Sequence, residues 1–297
     1  MMMKFLLSIP LLLLITIPSA FGDADRDAKF EFAGTLEETL GHFWALELNL
    51  DEKNSKLALV HATHPISELY DTMQEHLTEN PAFDEKLQET LMDLQNKANT
   101  DVTREDAQIA IDEAKGIIEE ARGLVVGEVL SQESEFKMQL INGLLETAKV
   151  EYHEAVEDGI IKEMAEFQDG SSFVWRSQQI FDGLADTLDP VDSSRINQLY
   201  SEAWNRFDSN ADSSDVENIL DAIIYEFEEL SGIPSVRSEH EEEVYSNLPP
   251  LKQIDAGVEP EDVICKEGLE LIFTPSSEPA CVKPNSISRL ISFGWNQ

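Results

Sequence analysis

The stretch AQIAIDEAKGIIEEARGLV, residues 107–125, puts Ala107, Ile111, Ala114, Ile118, Ala121 and Val125 on one face of a 3.6-residue helix and Asp112, Glu113, Glu119 and Glu120 on the other. One face is core and the other is solvated. The same period recurs on both sides of it, in Phe83, Leu87 and Leu94, in Phe136, Leu140, Leu144, Ala148, Tyr152 and Ala155, in Ile160, Met164, Phe167, Val174 and Phe181, in Ile196, Tyr200, Ala203 and Phe207, and in Val216, Leu220, Ile223 and Phe227. Helix starts fall between these stripes. Capping boxes stand at Thr35 with Glu38, Thr103 with Asp106 and Ser214 with Glu217, and Asn80-Pro81 and Asp189-Pro190 put Pro where a first turn accepts it. Strand signals are absent from 35 to 231. The reading is all-α, a multi-helix bundle over residues 30–231.

The ends of the chain read differently. Residues 1–22, MMMKFLLSIPLLLLITIPSAFG, carry Lys4, an apolar run and a small-x-small ending at Ala20 and Gly22, the pattern of an export signal peptide; a retained N-terminal anchor is the alternative. Residues 232–248, with Gly232, Pro234 and the run Glu241 to Glu243, read as an acidic linker. Residues 249–297 then read as a small α+β module: short strands around Val263 to Cys265 and Leu269 to Phe273, a turn at Pro275 to Pro279, and a short helix from Ile287 to Ile291. In an exported protein Cys265 and Cys281 are expected to form a disulfide that closes this module, which is too small to bury much core.

Composition limits the function. Lys and Arg number 21 against 59 Asp and Glu, a net charge of −38 in 297 residues. Such a surface repels nucleic acid and anionic membranes, and no segment after the signal is apolar enough for membrane insertion. Phosphate loops and Gly-x-Ser-x-Gly elbows are missing, and the expected disulfide leaves no free thiol, so no enzymatic chemistry is read.

Five side chains are candidates for a metal site. Glu47 falls in the middle of the apolar stripe Leu36, Leu40, Phe43 and Leu50, where a carboxylate needs a metal, a proton or a Lys or Arg partner. His61 and His64 share a helical stripe with Glu68 and Glu75. That stripe lies opposite Leu59, Ala62, Ile66, Leu69, Met73 and Leu77, so solvated histidines are the competing expectation, with Pro65 breaking the helix beside them. Glu151 and Glu163 lie at stripe edges, from which they can reach into a bundle, whereas Glu154, Glu166 and Asp169 point further out. The chain contains no Glu-x-x-His, which disfavours a di-iron carboxylate bundle and leaves a looser Glu/His site for iron, copper or zinc. Trp175 is read as core and Arg176 as an exposed partner for acidic neighbours.

Two resemblances add to this reading. Residues 149–181, KVEYHEAVEDGIIKEMAEFQDGSSFVWRSQQIF, resemble the helical ectodomain that precedes the membrane part of bacterial iron permeases, through Tyr152, Ala155, Val156, Gly159, Ile161, Glu166, Gln168 and Asp169. This resemblance implies metal handling, iron above all, at a cell envelope, with a permease or another envelope protein as partner. The tail, residues 249–295, resembles a C-terminal module of secreted proteins of ammonia-oxidising archaea, through CKEGL, PACVKP and the terminal GW. Together they imply an exported, extracytoplasmic ectodomain that binds or senses iron or copper. The alternative is a non-catalytic structural or interaction protein of the envelope whose acidic surface binds cations weakly.

Overall fold

The computed structural model describes residues 21–233 except 101 and 158 and, further on, residues 260, 263, 265, 269–274, 279–291 and 295–296. The signal peptide expected at 1–22 lies outside the described residues up to residue 20, and the linker expected at 232–248 lies outside them beyond residue 233. Two compact units divide the chain, Met1–Phe227 and Glu228–Gln297.

The first unit is the helical bundle. Its helices are α1 (Phe21–Asp51), α2 (Ser55–His64), α3 (Tyr70–Glu75), α4 (Pro81–Ala98), α5 (Arg104–Val125), α6 (Glu128–Gln132), α7 (Ser134–Ala155), α8 (Met164–Asp182), α9 (Pro190–Asp208) and α10 (Ser213–Ser231), whose last residues belong to the second unit. The starts follow the capping chemistry at several of these. Thr103 Oγ1 accepts from the Asp106 amide at 3.2 Å, and Pro81 and Pro190 occupy first turns behind Asn80 and Asp189. Thr35 departs from its expected role. It sits inside the 31-residue α1, where its hydroxyl donates to the Glu31 carbonyl at 3.0 Å. The helix extends upstream of Thr35 because Phe30 packs edge-on against Phe136, Phe32 is fully buried, and Arg26 pairs with Glu133 at 2.9 Å.

Helix α1 runs through the middle of the unit, packed against α2, α5, α7 and α8. Its buried set therefore goes almost all the way round: Phe32, Leu36, Leu40, Phe43, Leu46 and Leu50 lie beside Thr35, Thr39, His42 and Asn49. Glu37, also buried, accepts from Arg122 of α5 at 2.8 Å and from Arg176 of α8 at 2.5 Å, so two fixed cations compensate its desolvation. Arg176 thus does serve an acidic neighbour, but an interior one. Trp175 stacks on Trp44 with ring centroids 5.0 Å apart.

Two local features differ from the sequence expectation. Pro65 does not end the helix: its missing amide leaves the His61 carbonyl without the usual partner, and the chain passes through a π-turn, Pro65–Leu69, into α3. Between α7 and α8, in a stretch expected to be helical, Val156–Glu157 (β1) and Ile160–Ile161 (β2) pair as a two-residue hairpin with Gly159 at φ 71°. Ile160 consequently belongs to the hairpin and is exposed, and α8 begins only at Met164. Helices α7 to α10 share an aromatic core, in which Tyr152 meets Phe207 at 4.7 Å, and Phe181 meets both Tyr200 at 5.7 Å and Phe227 at 5.9 Å.

In the second unit β3 (Glu270–Phe273) and β4 (Pro279–Val282) form an antiparallel pair with Leu271 opposite Cys281, followed by α11 (Pro284–Ile291). Cys265 and Cys281 are disulfide-bonded, with Cα atoms 5.5 Å apart. The fold is thus a multi-helix bundle followed by a small disulfide-closed strand-and-helix module. Among the described residues no helix is long and apolar enough to cross a membrane.

Candidate metal centre

Three of the chain's six histidines meet one aspartate inside the first unit. His42 comes from α1, His61 and His64 from successive inward positions at the end of α2, and Asp169 from the second turn of α8. A ligand atom from each lies within 4.8 Å of those of the other three. His42 Nδ1 and His61 Nδ1 stand 2.8 and 3.1 Å from Asp169 Oδ1, and His64 Nδ1 stands 3.0 Å from Oδ2. Two close approaches of helix backbone make this convergence possible. Gly41, next to His42, faces the Phe173 ring and Ser172 of α8, and Gly170, next to Asp169, faces the Ala148 carbonyl of α7.

The centre is dry. His61 is fully buried, His42 and Asp169 nearly so, and His64 keeps 12% of its side-chain surface. Burial alone would raise the Asp169 carboxyl. The charge of His42 and the nearness of the three imidazoles outweigh it and hold that carboxyl well below the usual carboxylate range. Burial would lower His64, but Asp169, Glu68 and Glu166 overcome it and raise the imidazole above its ordinary value of 6.5. The Nδ1 atoms of His42 and His64, although close to the carboxylate, have no hydrogen-bond partner of acceptable geometry. A buried nitrogen in that state lacks a partner that a metal ion can supply.

Donor type and spacing both suit such an ion. In a tetrahedral site with bonds of about 2.0–2.1 Å, donors stand roughly 3.3 Å apart, near the nitrogen–oxygen separations observed. Three imidazoles and one carboxylate suit zinc, copper or iron better than calcium or magnesium, which call for oxygen-rich shells.

Of the residues singled out in the sequence, His61 and His64 are brought together, and they face inward instead of to solvent. Glu47 is not part of the cluster. Its Oε1 accepts from Lys115 at 2.6 Å and Arg104 at 2.8 Å, so it has the Lys or Arg partner that was the alternative to a metal. Glu151 approaches without joining: burial first, then Asp169 and Glu166, push its carboxyl up to about 9. Glu163 is exposed beside the start of α8, where its carbonyl accepts the Phe167 amide.

His42 and Asp169 were missed, for different reasons. Asp169 projects away from the apolar stripe Met164, Phe167, Val174 and Phe181, but α8 is also buried at Gly170, Ser172, Phe173 and Ser177, so that stripe marks only part of its inner side. The EFQD segment, residues 166–169, was the available signal. His42 lies on the polar inner row Thr35, Thr39, His42 and Asn49 of a helix buried on nearly every side, a row the apolar stripe concealed.

A family described as the iron permease-associated 4-helix bundle domain matches residues 128–234, about a third of the chain. The match spans α6 to α10, so it includes Asp169 while the three histidines precede it. No curated protein and no solved structure matches the chain. Residues 128–234 are therefore similar to a helical bundle that accompanies iron permeases.

Proposed function

We propose that this chain is an extracytoplasmic metal-handling domain of the cell envelope that takes one first-row transition-metal ion at His42, His61, His64 and Asp169. The observation that carries the reading is the buried cluster of three imidazoles and a carboxylate with two nitrogens left unpartnered. The similarity to the iron permease-associated bundle supports iron as the physiological cargo and a permease or another envelope protein as partner. In this reading the bundle of residues 30–231 carries the site, and the acidic stretch 232–248 joins it to the disulfide-closed module of residues 249–297.

The ion, when bound, neutralises Asp169 and takes up the free imidazole nitrogens; the surrounding residues exclude water and fix the rings. Equilibrium dialysis of the purified full chain against zinc, copper(II) and, anaerobically, iron(II) tests the proposal. The expected result is one ion per chain, lost when His61 and His64 are both replaced by Ala and kept in Glu47→Gln. Many weak sites that fade with salt and persist in the double variant would overturn it and favour the acidic-surface reading.

A further inference from the structure

Each imidazole has two nitrogens, and which one bears the proton is set by what the other faces. At His61 the surroundings decide this through a chain of amides that starts at a backbone carbonyl. Asn49, fully buried, contacts the Ala45 carbonyl at 2.8 Å. A backbone carbonyl only accepts, so the Asn49 atom there is its NH2 nitrogen. The same Nδ2 stands 2.8 Å from the side-chain amide of Gln168, where it spends its second hydrogen. The Gln168 atom it meets must therefore be the carbonyl oxygen, and the reciprocal contact, Gln168 Nε2 to Asn49 Oδ1 at 3.4 Å, agrees.

That oxygen, Gln168 Oε1, lies 2.7 Å from His61 Nε2. Already accepting from Asn49, it has only a lone pair to offer the ring, so Nε2 carries a hydrogen and donates it. The nitrogen left to face Asp169 is Nδ1, at 3.1 Å. The other two histidines also direct Nδ1 towards this carboxylate.

We propose, resting on the metal reading above, that Asn49 and Gln168 are positioning residues that keep a hydrogen on His61 Nε2 and so commit the ring to binding a divalent transition metal through Nδ1. Neither touches the ion. Their arrangement is the outer hydrogen bond that metal-bound histidines commonly make, here supplied by an amide pair bridging α1 and α8.

Long-range proton–nitrogen NMR of the full chain, with 15N-labelled histidine, tests this directly, with zinc as a diamagnetic probe. His61 is expected to keep a protonated Nε2 both without metal and with one equivalent of zinc, and its Nδ1 is expected to show the shift of a metal-bound nitrogen. A bare Nε2 in the metal-free protein, or zinc on Nε2, would overturn the assignment. Gln168→Leu removes the acceptor and is expected to weaken zinc binding about 10–100-fold, with His61 no longer held to one form. Gln168→Glu keeps an acceptor at the same place and should restore both. Unchanged affinity together with an unchanged His61 spectrum in Gln168→Leu would contradict the proposal. If the wild type binds no zinc, the metal reading fails, while the metal-free spectrum still decides the proton position. If Gln168→Leu does not fold, the wild-type spectra carry the test.

Discussion

The interior carboxylates show how the same chemical group takes different roles according to its neighbours. Glu37 is held by two arginines, Glu47 by an arginine and a lysine, and Asp169 by three histidines. Among the described residues Glu38 has no cation. It accepts from the Thr147 hydroxyl at 3.1 Å, and burial, reinforced by Asp169, pushes its carboxyl up to about 7. A carboxyl raised on folding favours the folded state fully below its unfolded value, here 4.5, and loses that advantage as the pH rises through 7. Glu38→Gln should therefore stabilise the protein at pH 8, by roughly 1–2 kcal/mol, and change little at pH 4. Denaturant unfolding at the two pH values checks it; an equal effect at both would show that the Glu38 charge is not what costs stability. At this scale the sequence was only half legible. A carboxylate in an apolar stripe announces that a partner exists, as Glu47 did, but the partners come from α5, far along the chain, and no periodicity within α1 reports them.

At the scale of elements, the helices were legible because each buries one stripe of regular period, and residues such as Ile111, Leu140, Tyr200 and Leu220 are buried as that period requires. Reading failed where the backbone departs from the ideal period. The hairpin around Gly159 interrupts the helical run between α7 and α8, and the π-turn after His64 continues a helix that Pro65 was expected to break. The π-turn directly follows His64 of the metal centre, in keeping with the tendency of π-turns to occur at functional sites. The site also depends on how closely α1 and α8 approach. A Cβ on Gly41 would stand 2.9 Å from the Phe173 ring and 3.1 Å from Ser172 Oγ, within the packed interior. Gly41→Ala should thus force α1 away from α8, cost about 1–3 kcal/mol of stability and draw His42 away from Asp169. Thermal unfolding and metal titration of this variant check both consequences. A fully stable protein with undiminished affinity would mean that the close contact does not set the site.

For the whole molecule, the division between a large bundle and a small module follows from what each can bury. The bundle draws on many fully buried side chains, whereas the described residues of the module form a short strand pair, one helix and a covalent tie between Cys265 and Cys281. Closing a loop with a sequence separation of 16 contributes about 3 kcal/mol in the chain-entropy view. Mild reduction should therefore open the module to proteolysis while the helical circular dichroism signal stays nearly constant; a large loss of helix would show that the two units share their stability. The charge of −38 has a different consequence. It surrounds the bundle with weak cation sites, so bulk binding alone cannot identify a specific one. Location can. Crystals of the full chain loaded with one equivalent of zinc, copper or iron(II), with diffraction recorded on both sides of that metal's absorption edge, give the most direct test. The account predicts one dominant anomalous peak, bonded to His42 Nδ1, His61 Nδ1, His64 Nδ1 and Asp169. Peaks scattered over surface carboxylates, with these four side chains unligated, would contradict it.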